Sequence, residues 1–144
     1  MQRIIYTRPD GGVSVVIPSG KVPFETVLQK DVPTDATNVQ VVEDTTIPSD
    51  RTVRNAWVQQ GKAVITDMTK ARIIHTQRIR EKRDKKLEVL DKDTMRFLND
   101  PQKRADIETQ KQALRDLPQN LMADIQNAMS PETLKQVGKD FLAS

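Results

Sequence analysis

The chain has no cysteine. That excludes disulfides, thiolate nucleophiles and Cys-ligated zinc, and it suits a reducing compartment. There is one histidine, His75, so no pair of histidines can share a metal. Aromatic residues make up only 3% of the sequence, so any core must be aliphatic and small. Long hydrophobic runs are missing too. No stretch approaches the roughly 20 apolar residues of a membrane span, and the opening MQRIIYTRPDGG lacks the apolar run of a signal peptide. The expectation is a soluble protein made in the cytoplasm, with no membrane association.

Motifs that carry chemistry are also lacking. Gly11-Gly12 is not followed by Gly-Lys-Ser/Thr, so it reads as a turn and not as a phosphate loop. No Gly-x-Ser-x-Gly is present. Asp91 and Asp93 would point about 200° apart on a helix and could not share one ion. His75 lies among Arg and Gln and reads as a solvated or interface side chain. No catalytic, cofactor-binding or metal-ligating residue is expected, and the chain is not expected to be an enzyme.

What is present is charge, unevenly placed. The 144 residues are 36% apolar and 30% charged, ordinary for a folded protein, with a net charge of +3. Residues 1–66 carry 7 basic and 7 acidic side chains, whereas residues 67–144 carry 16 and 13. Within the second part, Lys70 to Lys86 holds 8 basic residues against Glu81 and Asp84.

The first 66 residues read as a small sheet. Arg3–Thr7 and Val13–Ile17 are strand-forming runs around Pro9-Asp10-Gly11-Gly12, a strong hairpin signal. Residues 23–30 suggest a short helix, with Phe24, Val27 and Leu28 on one face. Val39–Val42 reads as a third strand. Val53–Val58 and Ala63–Thr66 read as a second hairpin, with Trp57 as its core anchor.

The apolar period then changes from about 2 to about 3.6. From Asp67 to about Leu98 there is no Gly and no Pro, which predicts one helix of about 31 residues, roughly 46 Å long. Its middle, His75 to Lys86, has one large aliphatic residue, Ile79. It is therefore expected to bury little against its own chain and to lean on a partner. Glu81–Lys85 and Arg80–Asp84 are spaced as i,i+4 ion pairs. Asp100-Pro101 signals a second helix, folded back antiparallel and ending at Pro118. A third short helix should hold Leu121, Met122, Ile125 and Met129. A last one should start after Ser130-Pro131, with Leu134, Val137, Phe141 and Leu142 on its apolar face and Gly138 weakening it.

The fold class is thus α+β: a small antiparallel β-rich domain over 1–66, then a long α-helical hairpin with short C-terminal helices over 67–144. Contact with partners is expected at Ile79, Leu87, Leu90, Met95 and Leu98 on the long helix, and at Leu114 and Leu117 on the second. Arg78, Arg80, Lys82, Arg83, Lys85 and Lys86 would form a basic polar flank. Phosphate contact by that flank is the competing reading. No aromatic residue lies between Val58 and Arg96 to stack on bases, which argues against nucleic acid.

Three segments carry a family resemblance. They are Ile47-Pro48-Ser49-Asp50-Arg51-Thr52-Val53-Arg54-Asn55-Ala56-Trp57, then Asp67-Met68-Thr69-Lys70-Ala71-Arg72 with Arg80-Glu81-Lys82-Arg83 and Leu90-Asp91, and finally Lys111-Gln112-Ala113-Leu114-Arg115-Asp116-Leu117-Pro118. Together the chain resembles small proteins encoded in the tail and tail-fibre region of tailed bacteriophages. The last segment is similar to the Leu-Arg-Asp-(Leu/Ile)-Pro signature of phage tail assembly chaperone-like proteins. The resemblance implies a non-enzymatic structural component of the virion, in tail, fibre attachment or another accessory position. It would act by contact with tail, fibre or capsid proteins in a symmetric homo-oligomer, with a trimer as the expected state. The alternative it implies is an assembly chaperone that is absent from the mature particle.

Overall fold

The computed structural model describes all 144 residues. They form two compact units, Met1–Ala71 and Arg72–Ser144. The division falls a few residues beyond the change of apolar period. Antiparallel strands come first, then two long helices and two short ones, so the class is α+β.

In the first unit β1 (Gln2–Thr7) lies between β2 (Val13–Val16) and β3 (Thr37–Glu43), antiparallel to both. Asp10 and Gly11 make the β1–β2 turn work. The Gly12 N–H donates to Asp10 Oδ1 at 2.8 Å, and Gly11 sits at φ +82°, where a side chain would be strained. Ile4 and Ile5 are adjacent in β1 and both fully buried. Successive strand side chains point to opposite faces, so this central strand is covered on both sides. A short helix, α1 (Phe24–Asp31), buries Val27. β4 (Trp57–Gln60) and β5 (Ala63–Thr66) form a separate hairpin. Ile5, Val13, Val42, Trp57 and Val64 join the two sheets in one core. Gln59 ties them by polar contacts: its Oε1 accepts from Thr7 Oγ1 at 2.9 Å and its Nε2 donates to the Asn38 carbonyl at 2.7 Å.

The second hairpin is shorter than the sequence suggests. Val53 does not begin a strand; residues 54–56 form a single 3-10 turn, with the Ala56 N–H donating to the Val53 carbonyl at 2.8 Å. The buried residues here are Val53, Ala56 and Trp57, a turn-like spacing and not a strand's alternation.

The long helix, α2, spans Met68–Arg96, 29 residues and about 44 Å. Asp67 Oδ1 accepts the Lys70 N–H at 3.2 Å and so caps the start of the helix. In the second unit α2 is followed by α3 (Pro101–Asn127), α4 (Pro131–Gln136) and α5 (Lys139–Ala143). Asp100 and Ser130 cap α3 and α4 by accepting the N–H of Lys103 and Thr133. Asp91 on α2 and Lys111 on α3 pair at 2.7 Å, fastening the helical hairpin.

Pro118 does not end the second helix. α3 runs through it to Asn127 and absorbs the segment expected as a separate third helix. The reason lies in its stripe of buried and half-buried residues: Ile107, Lys111, Leu114, Pro118, Leu121 and Ile125, spaced 4, 3, 4, 3 and 4. Pro118 is on that stripe and buried. An internal proline costs about 3 kcal/mol or more, but stopping there would expose Leu121 and Ile125. Gly138 does break the last helix. It takes a left-handed conformation, φ +66°, between α4 and α5, where a Cβ would lie 3.1 Å from Leu121 Cδ1.

The middle of α2 is not left bare by its own chain. Ile79 is fully buried and His75 is 4% exposed. His75 Nε2 lies 2.7 Å from the Val137 carbonyl and donates to it. The solvated or interface reading of His75 is therefore wrong, because the segment after α3 returns over this part of α2. Arg72 reaches the same segment, donating from Nε at 3.2 Å and Nη2 at 2.7 Å to the Ala128 carbonyl at the end of α3.

Candidate functional site

A concavity of the second unit lies over the C-terminal half of α2, the middle of α3 and the end of α5, with a volume of about 690 Å³. Its floor is apolar. Val89 and Leu90 come from α2, Ala113, Leu114 and Leu117 from α3, and Phe141 from α5. Each is placed by helical period: Leu90 lies one turn beyond Lys86, and Leu114 and Leu117 are i,i+3 neighbours. Lys82, Lys85 and Lys86 edge the groove.

The three lysines differ. Lys82 donates to the Ser144 carbonyl, which ties the end of the chain to α2. Lys86 holds its ammonium 5.8 Å from the centre of the Phe141 ring, a cation–π contact. Lys85 is exposed and makes no ion pair. Further along α2 the sign reverses. Glu88 and Asp91 are 69% and 68% exposed at their side chains, and Asp93 follows. Lys92 and Arg96 stand among these carboxylates and pair with Glu88 at 3.1 Å and Asp93 at 3.7 Å; Val89, beside Glu88, is 57% exposed.

Of the residues expected at partner contacts, the groove gathers Leu90, Leu114 and Leu117 with Lys82, Lys85 and Lys86. Ile79 is not at a surface at all; it is enclosed by its own chain, 3.6 Å from where a Cβ on Gly138 would stand. Leu87 is half-buried and outside the groove lining. Met95 and Leu98 lie near the hairpin turn, 68% and 50% exposed. On the basic flank, Arg80 is exposed and Arg78 half-buried. Arg83 turns to Asp84, with Nη2 at 2.7 Å, so the Arg80–Asp84 pair does not form. Glu81 accepts from Gln77 Nε2 at 3.2 Å and does not meet Lys85.

Val89 and Phe141 were not foreseen as groove residues. Val89 falls off the seam drawn through Leu87 and Leu90. Phe141 was placed on the apolar face of a last helix, but nothing in a local pattern says which surface that face meets. Glu108 lies on the outer side of α3, where the hydrogen bond from Arg115 Nη1 at 2.9 Å holds its carboxyl below the ordinary glutamate value. No three acidic, histidine or cysteine side chains converge as metal ligands would, and no helix is long and apolar enough to cross a membrane. In comparisons with protein-family models, with curated proteins and with solved structures, nothing matches this chain.

Proposed function

We propose that this protein is a non-enzymatic structural component of a tailed-phage particle that works through protein–protein contacts in a symmetric assembly, with the helical unit as its contact surface. The observation that carries the contact role is the apolar groove with its lysine edge. A floor of six aliphatic and aromatic side chains in water favours burial, at about 25 cal/mol per Å² covered. The phage setting rests on the resemblance of three sequence segments, the last of which supplies Leu114 and Leu117 to the groove.

The occupant that best fits is a second copy of the same helix. Two α2 helices laid antiparallel about Val89 set Lys85 of each against Asp93 of the other. Such a contact is isologous and twofold, in place of the trimer expected from sequence alone. That opposed pair would favour the register, and the apolar floor would supply most of the affinity.

Sedimentation equilibrium tests this. The intact protein should show twice the 16.3 kDa chain mass, and Leu90→Asp with Leu114→Asp should return it to one chain mass with unchanged helix content. A double variant that stays dimeric would remove the groove from the contact. A wild-type protein that is monomeric at every concentration would remove self-association. The particle reading is tested by mass spectrometry of density-banded virions. A fixed copy number relative to the major capsid protein supports it. Absence from particles with abundance in infected lysate would favour the chaperone reading, which the Leu114-Arg115-Asp116-Leu117-Pro118 segment specifically motivates.

A further inference from the structure

The three-stranded sheet of the first unit has two edges, and they differ. The β3 edge is blunted. Its pairing with β1 shifts register between Ile5 and Thr7, Asn38 stands at φ +51°, and the Asn38 carbonyl is taken by Gln59 Nε2 at 2.7 Å. Irregularities of this kind keep an edge from pairing with another chain. The β2 edge has none of them. Val13-Ser14-Val15-Val16 is uncharged, free of proline and rich in β-branched residues. Its register with β1 runs without a break.

The phase of the ladder decides which groups face out. The Arg8 N–H donates to the Gly12 carbonyl at 2.8 Å, so these two residues form a hydrogen-bonded pair. Bonded and non-bonded pairs alternate along an antiparallel ladder. Tyr6–Ser14 and Ile4–Val16 are therefore bonded pairs, and the main-chain groups of Val13, Val15 and Ile17 point away from β1. The Val13 carbonyl agrees with this phase: it accepts from a side chain, Arg8 Nη1, at 3.0 Å. Beyond Val15 and Ile17 there is no further strand.

Space lies alongside these groups. Val15 and Ile17 line a cavity of about 380 Å³, and Arg51, Arg54 and Asn55 line it too. The 3-10 turn at residues 54–56 puts them there: it buries Val53 and Ala56 and leaves Arg54 and Asn55 outward. Val15 and Ile17 also line an adjoining hollow with Ile47 and Pro48, so open space continues along the strand. Ile17 itself is 54% exposed. An edge with free main-chain groups, next to side chains rich in N–H donors, suits an extended chain. The edge would extend the ladder, and the donors would meet carbonyls on the far side of the added strand.

We propose that β2 takes up an extended, acidic segment of another protein as an added strand, bonded to the main chain of Val15 and Ile17. This site is independent of the helical groove. Charge chooses the occupant. The cavity is lined by Arg8, Arg51 and Arg54 and by no acidic side chain, which favours a strand of negative charge. A second copy of this chain fits poorly, because its own β2 edge is fronted by the same arginines and pairing the two edges would set like charges together.

Amide hydrogen exchange, followed by NMR on the full chain, reads the two residues directly. The probe is the peptide acetyl-Glu-Val-Thr-Val-Glu-Val-Thr-amide. The comparison peptide replaces each valine by proline, which keeps the charge and removes the N–H groups a ladder needs. In the free protein the Val15 and Ile17 amides should exchange quickly. Saturating probe should slow both by about tenfold or more, and the proline peptide should leave them unchanged. Val15→Pro should weaken probe binding by about tenfold, because it removes an outward N–H and leaves a probe carbonyl without its donor. A proline whose N–H position faces outward is tolerated on an edge strand, so pairing with β1 should survive. Ile17→Pro, at an exposed position, makes the same test without touching the core. Four results would overturn the assignment. They are no slowing at millimolar probe, equal binding by the proline peptide, undiminished binding in both variants, and slow exchange in the peptide-free protein that strengthens with its concentration. The last would give the edge to a second copy.

Discussion

Lys111 is a charged residue on a buried stripe, and its removal should do less harm than removal of its partner. The side chain is 9% exposed and its ammonium lies 2.7 Å from Asp91 Oδ1, while Asp91 is 68% exposed. Two effects compete. Asp91→Asn keeps an oxygen acceptor but removes the opposing charge, leaving a largely buried ammonium with a weaker partner. A hydrogen bond to a charged group contributes about 1.5–3 kcal/mol, and the exposure of Asp91 discounts that by screening. A loss of about 1–2 kcal/mol follows. Lys111→Met instead removes the ion from a site where burial penalises it, and places an apolar chain of similar length between Ile107 and Leu114. Replacing a buried ion pair by apolar residues is often neutral, or stabilising by about 1–4 kcal/mol. The expected change is therefore from zero to about 1 kcal/mol of stabilisation. With a urea slope of about 1–3 kcal/mol per M, Asp91→Asn should lower the unfolding midpoint by roughly 0.5–1 M and Lys111→Met should leave it level or raise it. Urea unfolding followed by far-ultraviolet circular dichroism reads both. If Lys111→Met is the more destabilising of the two, the ion itself holds the hairpin and the reasoning from burial fails.

Other outcomes follow from single positions. Gly138→Ala should destabilise by at least about 1–2 kcal/mol, because a left-handed conformation costs a side chain that much and the new Cβ would press on Leu121 at 3.1 Å; a neutral result by thermal unfolding would mean the chain relaxes there freely. Ile79→Ala should cost about 2–5 kcal/mol, as for other fully buried aliphatic truncations, whereas an exposed partner-contact residue would lose almost nothing in the same urea assay. Asp10 should titrate below the ordinary aspartate value of about 3.9, because the Gly12 N–H and then Arg8 stabilise its carboxylate. Its folded value is depressed, so its contribution is present above the unfolded value and is lost as pH falls through the folded one. Carbon-detected carboxyl titration should show the midpoint moving part of the way back up in Arg8→Gln, since the Gly12 N–H remains; no movement would mean that Arg8 does not act on the carboxylate.

The elements were legible where local chemistry decides them. Asp10-Gly11-Gly12, Asp67, Asp100-Pro101 and Ser130-Pro131 each punctuate the chain through hydrogen bonds or backbone freedom within a few residues. They gave the first hairpin, the start of α2, and the starts of α3 and α4. What failed were readings that turned on which distant segment covers a residue. Pro118 reads as a stop because a proline lacks the N–H that would reach the Leu114 carbonyl, but the stripe continuing through Leu121 and Ile125 outweighs one missing bond. Val53 reads as a strand because it is β-branched, but its burial is satisfied by a turn.

The same distinction governs the candidate site. His75 and Ile79 looked underused because the residues that cover them, around Val137 and Gly138, lie some sixty positions away. Once that face of α2 is enclosed by its own chain, His75 and Ile79 have no surface to offer a partner. The need for support inferred from the helix's length therefore falls on the other half, from Lys82 onward, where Leu90 and Val89 meet a face of α3 that is only partly covered by α5. Of the residues named for contact, Leu90, Leu114 and Leu117 line the groove, whereas Ile79 is enclosed. Glu88, Asp91 and Asp93 are met within the chain by Lys92, Lys111 and Arg96, whereas Lys85 makes no ion pair, so Lys85 is the charge on which the proposed contact is best tested. Reversing one facing charge, by Lys85→Glu, should weaken self-association. Adding the converse Asp93→Lys to the same chain should restore it. Restoration would separate a charge-registered antiparallel contact from an apolar one, because the second change adds no apolar area.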